Sequence, residues 1–91
     1  MIIYITKAEF IEDYTVKLSF NDGMVMLVNL KNSIFNDHRK IFEPLKDVQY
    51  FKKFTLDTWT LVWPNGVDFA PEYLYELAVK QNEKAHNIIY H

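Results

Sequence analysis

The segment from Thr15 to Gly23 constrains this chain more than any other. Val16, Leu18 and Phe20 alternate with Thr15, Lys17 and Ser19, the period-two pattern of a strand buried on one face. Asn21-Asp22-Gly23 follows as a hairpin signal. Glycine takes the positive φ that a tight reversal demands, and Asn or Asp side chains bond back to the turn backbone. Met24 to Leu30 is then the return strand. Two registers satisfy this pattern. A two-residue Asp22-Gly23 loop pairs Phe20 with Val25 and Leu18 with Leu27. A three-residue loop that includes Asn21 sets Met24, Met26 and Val28 opposite Phe20, Leu18 and Val16. A slip of one residue exchanges the faces, so only one register can hold. We favour the three-residue loop, which brings more apolar side chains to the Phe20 face.

Residues 2 to 11 read as a strand that Glu12-Asp13-Tyr14 interrupts. Periodicity fails from Lys31 to Lys46, which is taken as a long connection with room for one short helical turn. Asp47 is placed to cap a short helix through Val48, Gln49, Tyr50 and Phe51. Phe54 and Leu56 then alternate, Asp57-Thr58 turns, and Trp59, Leu61 and Trp63 line one side of the next strand, with both tryptophans assigned to the core. Pro64-Asn65-Gly66 ends that strand and Val67 to Phe69 extends briefly. Pro71 starts a helix at the position where proline is best tolerated.

That helix is expected to end near Gln81 or Asn82. Leu74, Leu77 and Ala78 form its buried stripe, and Glu76 and Lys80 form an exposed pair. The alternation leaves the exposure of Tyr75 open. The signal weakens in the tail, residues 83 to 91, where Ile88-Ile89-Tyr90 is too apolar to stay free, so either the helix continues and docks it or it meets another chain. The fold class is α+β, a small antiparallel β-sheet built from two hairpins with one face covered by a C-terminal α-helix, in a single domain over residues 1 to 91.

A chain of 91 residues buries a modest fraction of its surface, and its 49% hydrophobic and 16% aromatic content supplies the dense core it needs. Cysteine is absent, which excludes a disulfide framework, thiolate metal ligation and a cysteine nucleophile. No apolar run approaches the ~18 residues of a membrane span, and the N-terminus lacks a secretory pattern, so no membrane association and a cytoplasmic location are expected. Ten basic residues against twelve acidic ones give a formal charge of −2, which argues against direct nucleic-acid binding.

Candidate chemistry is thin. His38, His86 and His91 lack the spacing of a metal site, so no metal and no cofactor are expected. Asp68, Glu72 and Glu76 fall near the start of the helix, where three acids could raise one another's pKa. Their location also explains them without catalysis, because acids at a helix N-terminus meet its positive end and its free N–H groups. Asp68 is therefore expected to accept backbone N–H bonds at the turn or helix start. Two isolated glycines cannot build a phosphate loop, and neither Ser19 nor Ser33 sits on a turn that exposes a nucleophile. The residues singled out as an interaction or structural motif are Trp63, Asn65, Gly66, Asp68, Pro71, Glu72 and Tyr75.

Taken together, Phe20-x-Asp22-Gly23, Phe42-Glu43-Pro44-Leu45-Lys46-Asp47, Phe51, Trp63-Pro64-Asn65-Gly66-x-Asp68 and Pro71-Glu72-x-Leu74-Tyr75 resemble the small bacterial family called domain of unknown function 2442, over roughly residues 4 to 78. Members commonly carry aspartate where this chain has Asn29, so a charge is missing near the end of the third strand. The resemblance implies no catalytic residue. It implies a non-enzymatic interaction module, an antitoxin-like partner of a neighbouring small protein. The apolar Ile88-Ile89-Tyr90 and the unblocked edge of residues 2 to 11 add that a partner or, as a homodimer, a second copy is met through a sheet edge or the C-terminal segment. A regulator that meets nucleic acid through such a complex ranks second, and a small hydrolase third. Elemental analysis after dialysis is expected to show no stoichiometric zinc or iron; a full equivalent of either would contradict the ligand spacing.

Overall fold

The computed structural model describes the backbone of residues 2–90 and the side chains of residues 2–83. Three antiparallel strands, β1 (Ile5–Glu12), β2 (Thr15–Phe20) and β3 (Val25–Asn29), form a sheet in the order β1-β2-β3. A short helix α1 (Lys31–Phe35) and a 3-10 helix (Lys40–Lys46) lead to α2 (Val48–Phe51). A separate two-stranded ribbon, β4 (Thr55–Asp57) and β5 (Thr60–Val62), precedes the helix α3 (Pro71–Tyr90). The architecture is α+β, and the two hairpins belong to two sheets instead of one.

The β2–β3 hairpin takes the three-residue loop: Val16 faces Val28 and Leu18 faces Met26. Gly23 has φ +90°, the left-handed conformation that a glycine supplies at the end of such a loop. The Asp22 carboxylate accepts the Met24 N–H at 3.0 Å. Asn21 then reaches across to the start of the chain, accepting from the Tyr4 N–H at 2.9 Å and donating to the Ile2 carbonyl at 2.7 Å. Residues 2 to 4 are thus held by Asn21, through its side chain and through its backbone N–H to the Tyr4 carbonyl at 3.0 Å, and β1 begins at Ile5, three residues later than the sequence suggests.

The connection after β3 is more ordered than its lack of periodicity implies. The Asn29 side-chain oxygen accepts the Lys31 N–H at 2.8 Å and so helps to start α1. An aspartate could accept the same bond, which explains how either residue serves there. Asp47 accepts the Gln49 N–H at 3.0 Å and caps α2 as expected. Ile34, Phe42, Leu45 and Phe51 turn inward from these short elements and are buried. They join Val16, Leu18, Val28, Leu61, Trp63, Leu74 and Ala78 in one hydrophobic cluster.

Two expectations about the second half fail. Trp59 is 52% exposed and not a core residue, because the β4–β5 ribbon pairs Asp57 with Thr60 and leaves Thr58 and Trp59 as its turn. Thr58 carries φ +40°, a strained value for a β-branched residue. Helix α3 also continues past Asn82 to Tyr90. The side chains of Ile88, Ile89 and Tyr90, expected to dock or to meet a partner, lie outside the described residues. Within the helix Leu74 and Ala78 are fully buried and Leu77 partly so, while Glu76 and Lys80 are exposed without forming an ion pair.

The β3 edge is not open for strand addition. Gln81 accepts from the Asn29 N–H at 2.8 Å and donates to the Asn29 carbonyl at 3.0 Å, and Asn82 donates to the Leu27 carbonyl at 2.8 Å. Two side-chain amides from α3 thereby take the place of a neighbouring strand. The opposite edge, β1, is interrupted by register shifts between Ile5 and Lys7 and between Phe10 and Glu12, irregularities that discourage edge pairing.

Trp63 is buried, and its indole N–H donates to the Phe51 carbonyl at 2.8 Å. Trp63→Phe keeps most of the apolar volume and leaves that carbonyl unpaired, which costs about 1–3 kcal/mol. Chemical denaturation is expected to show this loss with an unchanged m-value; equal stability would show that water or a shifted donor replaces the bond.

Candidate functional site

The stretch from Trp63 to Tyr75 divides into an inward half and an outward half. Trp63 anchors the inward half, ringed by Phe51 at 5.6 Å, Phe69 at 5.8 Å and Phe54 at 6.1 Å between centroids. Its N–H bonds the Val67 carbonyl and its carbonyl accepts from Gly66, closing a turn in which Gly66 has φ +90°. Asn65 holds that turn to the rest of the molecule. Its side-chain oxygen accepts the Val67 N–H at 3.3 Å and its amide donates to the Ile41 carbonyl at 2.8 Å. Trp63, Asn65 and Gly66 are therefore structural.

Asp68 does not cap the turn or the helix. It sits in the extended run, bridged through its backbone to Val62, and its exposed carboxylate accepts no hydrogen bond among the described residues. The Asn65 amide occupies the role expected of it, because Asn65 lies inside the turn while Asp68 lies after it. Pro71 opens α3, Glu72 is exposed in its first turn, and Tyr75 is half-buried. The Tyr75 ring meets Phe20 edge-on at 4.9 Å, and its hydroxyl donates to the Asp22 carboxylate at 2.5 Å. Tyr75 thus fastens α3 to the β2–β3 turn.

Several hollows border the outward half. One of 310 Å³ is walled by Ile2, Ile3, Trp59, Phe69 and Pro71, with Asp68 and Glu72 beside them. A second, of 270 Å³, brings Asp68 toward Asp37, Arg39, Ser33 and Tyr73. A third, of 510 Å³, is lined by His38 with Asn32, Asp37, Tyr73 and Leu77. Asp68 and Glu72 share a hollow, yet His38 lines a different one, so among the described residues the acids and a histidine do not converge as a hydrolytic site requires. No group of three metal-ligating side chains occurs among the described residues. Ser33 and Tyr73 exchange a hydroxyl contact at 2.6 Å that neither residue's sequence position foretells.

The described ion pairs join residues close in sequence. Arg39 forms a two-armed bond to Asp37, at 3.0 and 2.7 Å, and its plane lies over Phe42. Lys46 meets Glu43 at 2.8 Å and Lys7 meets Glu9 at 3.3 Å. Lys31 and Lys46 lie over Phe35, Lys52 over Phe10 and Lys53 over Tyr50. Helix α3 and the core lie on one side of the three-stranded sheet. On its other side Val25 and Leu27 are about half exposed, at 52% and 48%, whereas Met24, opposite Phe20, lies on the α3 side with Met26 and Val79. Lys7, Glu9 and Lys17 share the side of Val25 and Leu27, as the register dictates.

The sequence matches, over residues 5–80, the model of a family described as "Protein of unknown function (DUF2442)". No curated protein matches the chain significantly. Among solved structures, it is similar to a Nitrosomonas europaea protein called a "Putative DNA Binding Protein", with a TM-score of 0.74 and 16% sequence identity. The likeness covers 90% of this chain and 52% of that one, so this chain spans about half of that protein's length. At that identity it shows a shared fold.

Two carboxyls carry a pH signature. The Tyr75 hydroxyl, and then the Met24 N–H, hold Asp22 below its ordinary value. The Arg39 side chain, and then its backbone N–H, lower Asp37 from 3.8 to about 2. A carboxyl depressed by folding stabilises the folded state above its unfolded pKa, and the benefit is lost as pH falls through the folded value. Tyr75→Phe is therefore expected to flatten part of the acid limb in thermal midpoints measured below the ordinary carboxyl pKa of about 4, with Arg39→Ala flattening the rest down to about 2. An acid limb unchanged in both variants would contradict the assignment.

Proposed function

This chain belongs to the family described as Protein of unknown function (DUF2442), and from that premise we propose that it is a non-enzymatic protein-interaction module, an antitoxin-like partner of a neighbouring small protein. The observation that carries the reading is the open side of the three-stranded sheet. Val25 and Leu27, two positions apart on β3, expose apolar surface there. Lys7, Glu9 and Lys17 border this strip on its β2 and β1 side, and a polar border beside apolar surface is what protein interfaces favour. The contact is face to face. The amides of Gln81 and Asn82 already satisfy the β3 backbone at Leu27 and Asn29, so a partner gains little by adding a strand at that edge.

A nucleic-acid role is the second reading, favoured by the name of the Nitrosomonas europaea protein. This chain spans about half of that protein, and its described ion pairs occupy Lys7, Arg39 and Lys46 with acids of its own. Contact with nucleic acid is therefore assigned to a complex and not to this chain alone.

Co-purification of the native protein from its own cell, followed by mass identification, is expected to recover one small protein in stoichiometric amount. A Val25→Lys, Leu27→Lys double variant that melts normally is expected to lose it. A wild-type protein recovered alone and monomeric by light scattering would end this reading.

A further inference from the structure

The hollow between the β4–β5 turn and the start of α3 combines a flat aromatic surface with two carboxylates. Trp59 is 52% exposed at the turn, and Ile2 is 71% exposed across from it. The Trp59 ring is held in place. The Ile5 N–H donates to its carbonyl at 2.9 Å, and Tyr4 meets the ring edge-on at 5.3 Å. Thr58 accepts a strained φ of +40° to present it, and strain of that kind concentrates at functional positions. Asp68 and Glu72 line the same hollow, and the described ion pairs all lie elsewhere in the molecule.

We propose that this hollow receives an arginine side chain from a partner protein, with Trp59 as its stacking plane and Asp68 and Glu72 as its carboxylates. The proposal rests on the interaction-module reading and adds to it a second point of contact with stated chemistry. A guanidinium is planar, weakly hydrated and rich in donors, so it can stack on an indole while bonding carboxylates at its rim. Lysine offers a compact, strongly hydrated charge that gains less from the flat surface. The positive end of α3 opposes any cation, but its roughly half an elementary charge is outweighed by two carboxylates. Tryptophan and arginine are also the residues that most often carry binding energy at protein interfaces.

The test uses the full chain labelled with ¹⁵N and terminally blocked Gly-Arg-Gly, Gly-Lys-Gly and Gly-citrulline-Gly peptides. The two indole N–H resonances report separately, because Trp63 is buried and hydrogen-bonded while Trp59 faces the hollow. The arginine peptide is expected to shift the Trp59 resonance saturably and leave Trp63 in place. The citrulline peptide, which keeps the shape and lacks the charge, is expected to do nothing. An Asp68→Asn, Glu72→Gln variant whose Trp63 resonance is unmoved should bind the arginine peptide at least about tenfold more weakly, as the loss of charge-assisted bonds implies. The proposal is overturned by a Trp59 resonance that does not move saturably, by an equal response to the lysine or citrulline peptide, or by a double variant that binds as tightly as the parent. Such failure with a small protein still captured through Val25 and Leu27 would reject this hollow and leave the module reading standing.

Discussion

The bond from the Trp63 indole to the Phe51 carbonyl is the joint on which the two sheets are assembled. It connects the end of α2, which follows the three-stranded sheet, to the end of β5, which precedes α3. Around it the rings continue outward: Phe51 meets Tyr14 at 5.4 Å and Phe10 at 6.3 Å, on the β1–β2 hairpin. Two sheets that share no ladder are thereby joined through aromatic faces, the buried indole bond and the backbone bond from the Ile5 N–H to the Trp59 carbonyl. Such a joint is demanding, since a buried carbonyl without its donor costs more than the bond returns when made.

The same residue explains why the longest motif in the chain has two characters. Trp63, Asn65 and Gly66 close a turn and are used up in doing so: the indole, the amide and the left-handed glycine each satisfy a local requirement. Asp68 and Glu72 satisfy none and remain exposed at a concave surface. A conventional capping role would have put the Asp68 carboxylate beneath the helix. The backbone bridge to Val62 instead fixes Asp68 in an extended run, where its side chain is left to solvent or a partner.

What the sequence made legible was whatever depends on near neighbours. Alternation from Thr15 to Phe20 and the glycine at position 23 announced the hairpin and left two registers, of which the structure takes the one that brings more apolar side chains to the Phe20 face. Asp47 announced the cap of α2, and Pro71 the start of α3. Trp59 was misread because alternation from Trp63 backward assumes an unbroken strand, whereas a two-residue turn reached it first. Register is decided between strands, and no pattern within one strand records where its partner turns back. The bonds from Gln81 and Asn82 to β3 span more than fifty positions and leave no periodic trace. Their only hint was two adjacent amides at the point where the helical pattern was expected to stop.

Those amides also fix the rotation of α3 about its own axis. Leu74 and Ala78 must face the core while Gln81 and Asn82 meet the strand, and a helix turns by about 100° per residue. One residue inserted or deleted between Ala78 and Gln81 would swing the amides away from β3 or carry the apolar pair out of the core. Tyr75, bound to Asp22 at the far end of the same strand, adds a second fixed phase four residues before Val79. The segment from Tyr75 to Asn82 is consequently a ruler whose length cannot drift, however freely its exposed side chains are exchanged.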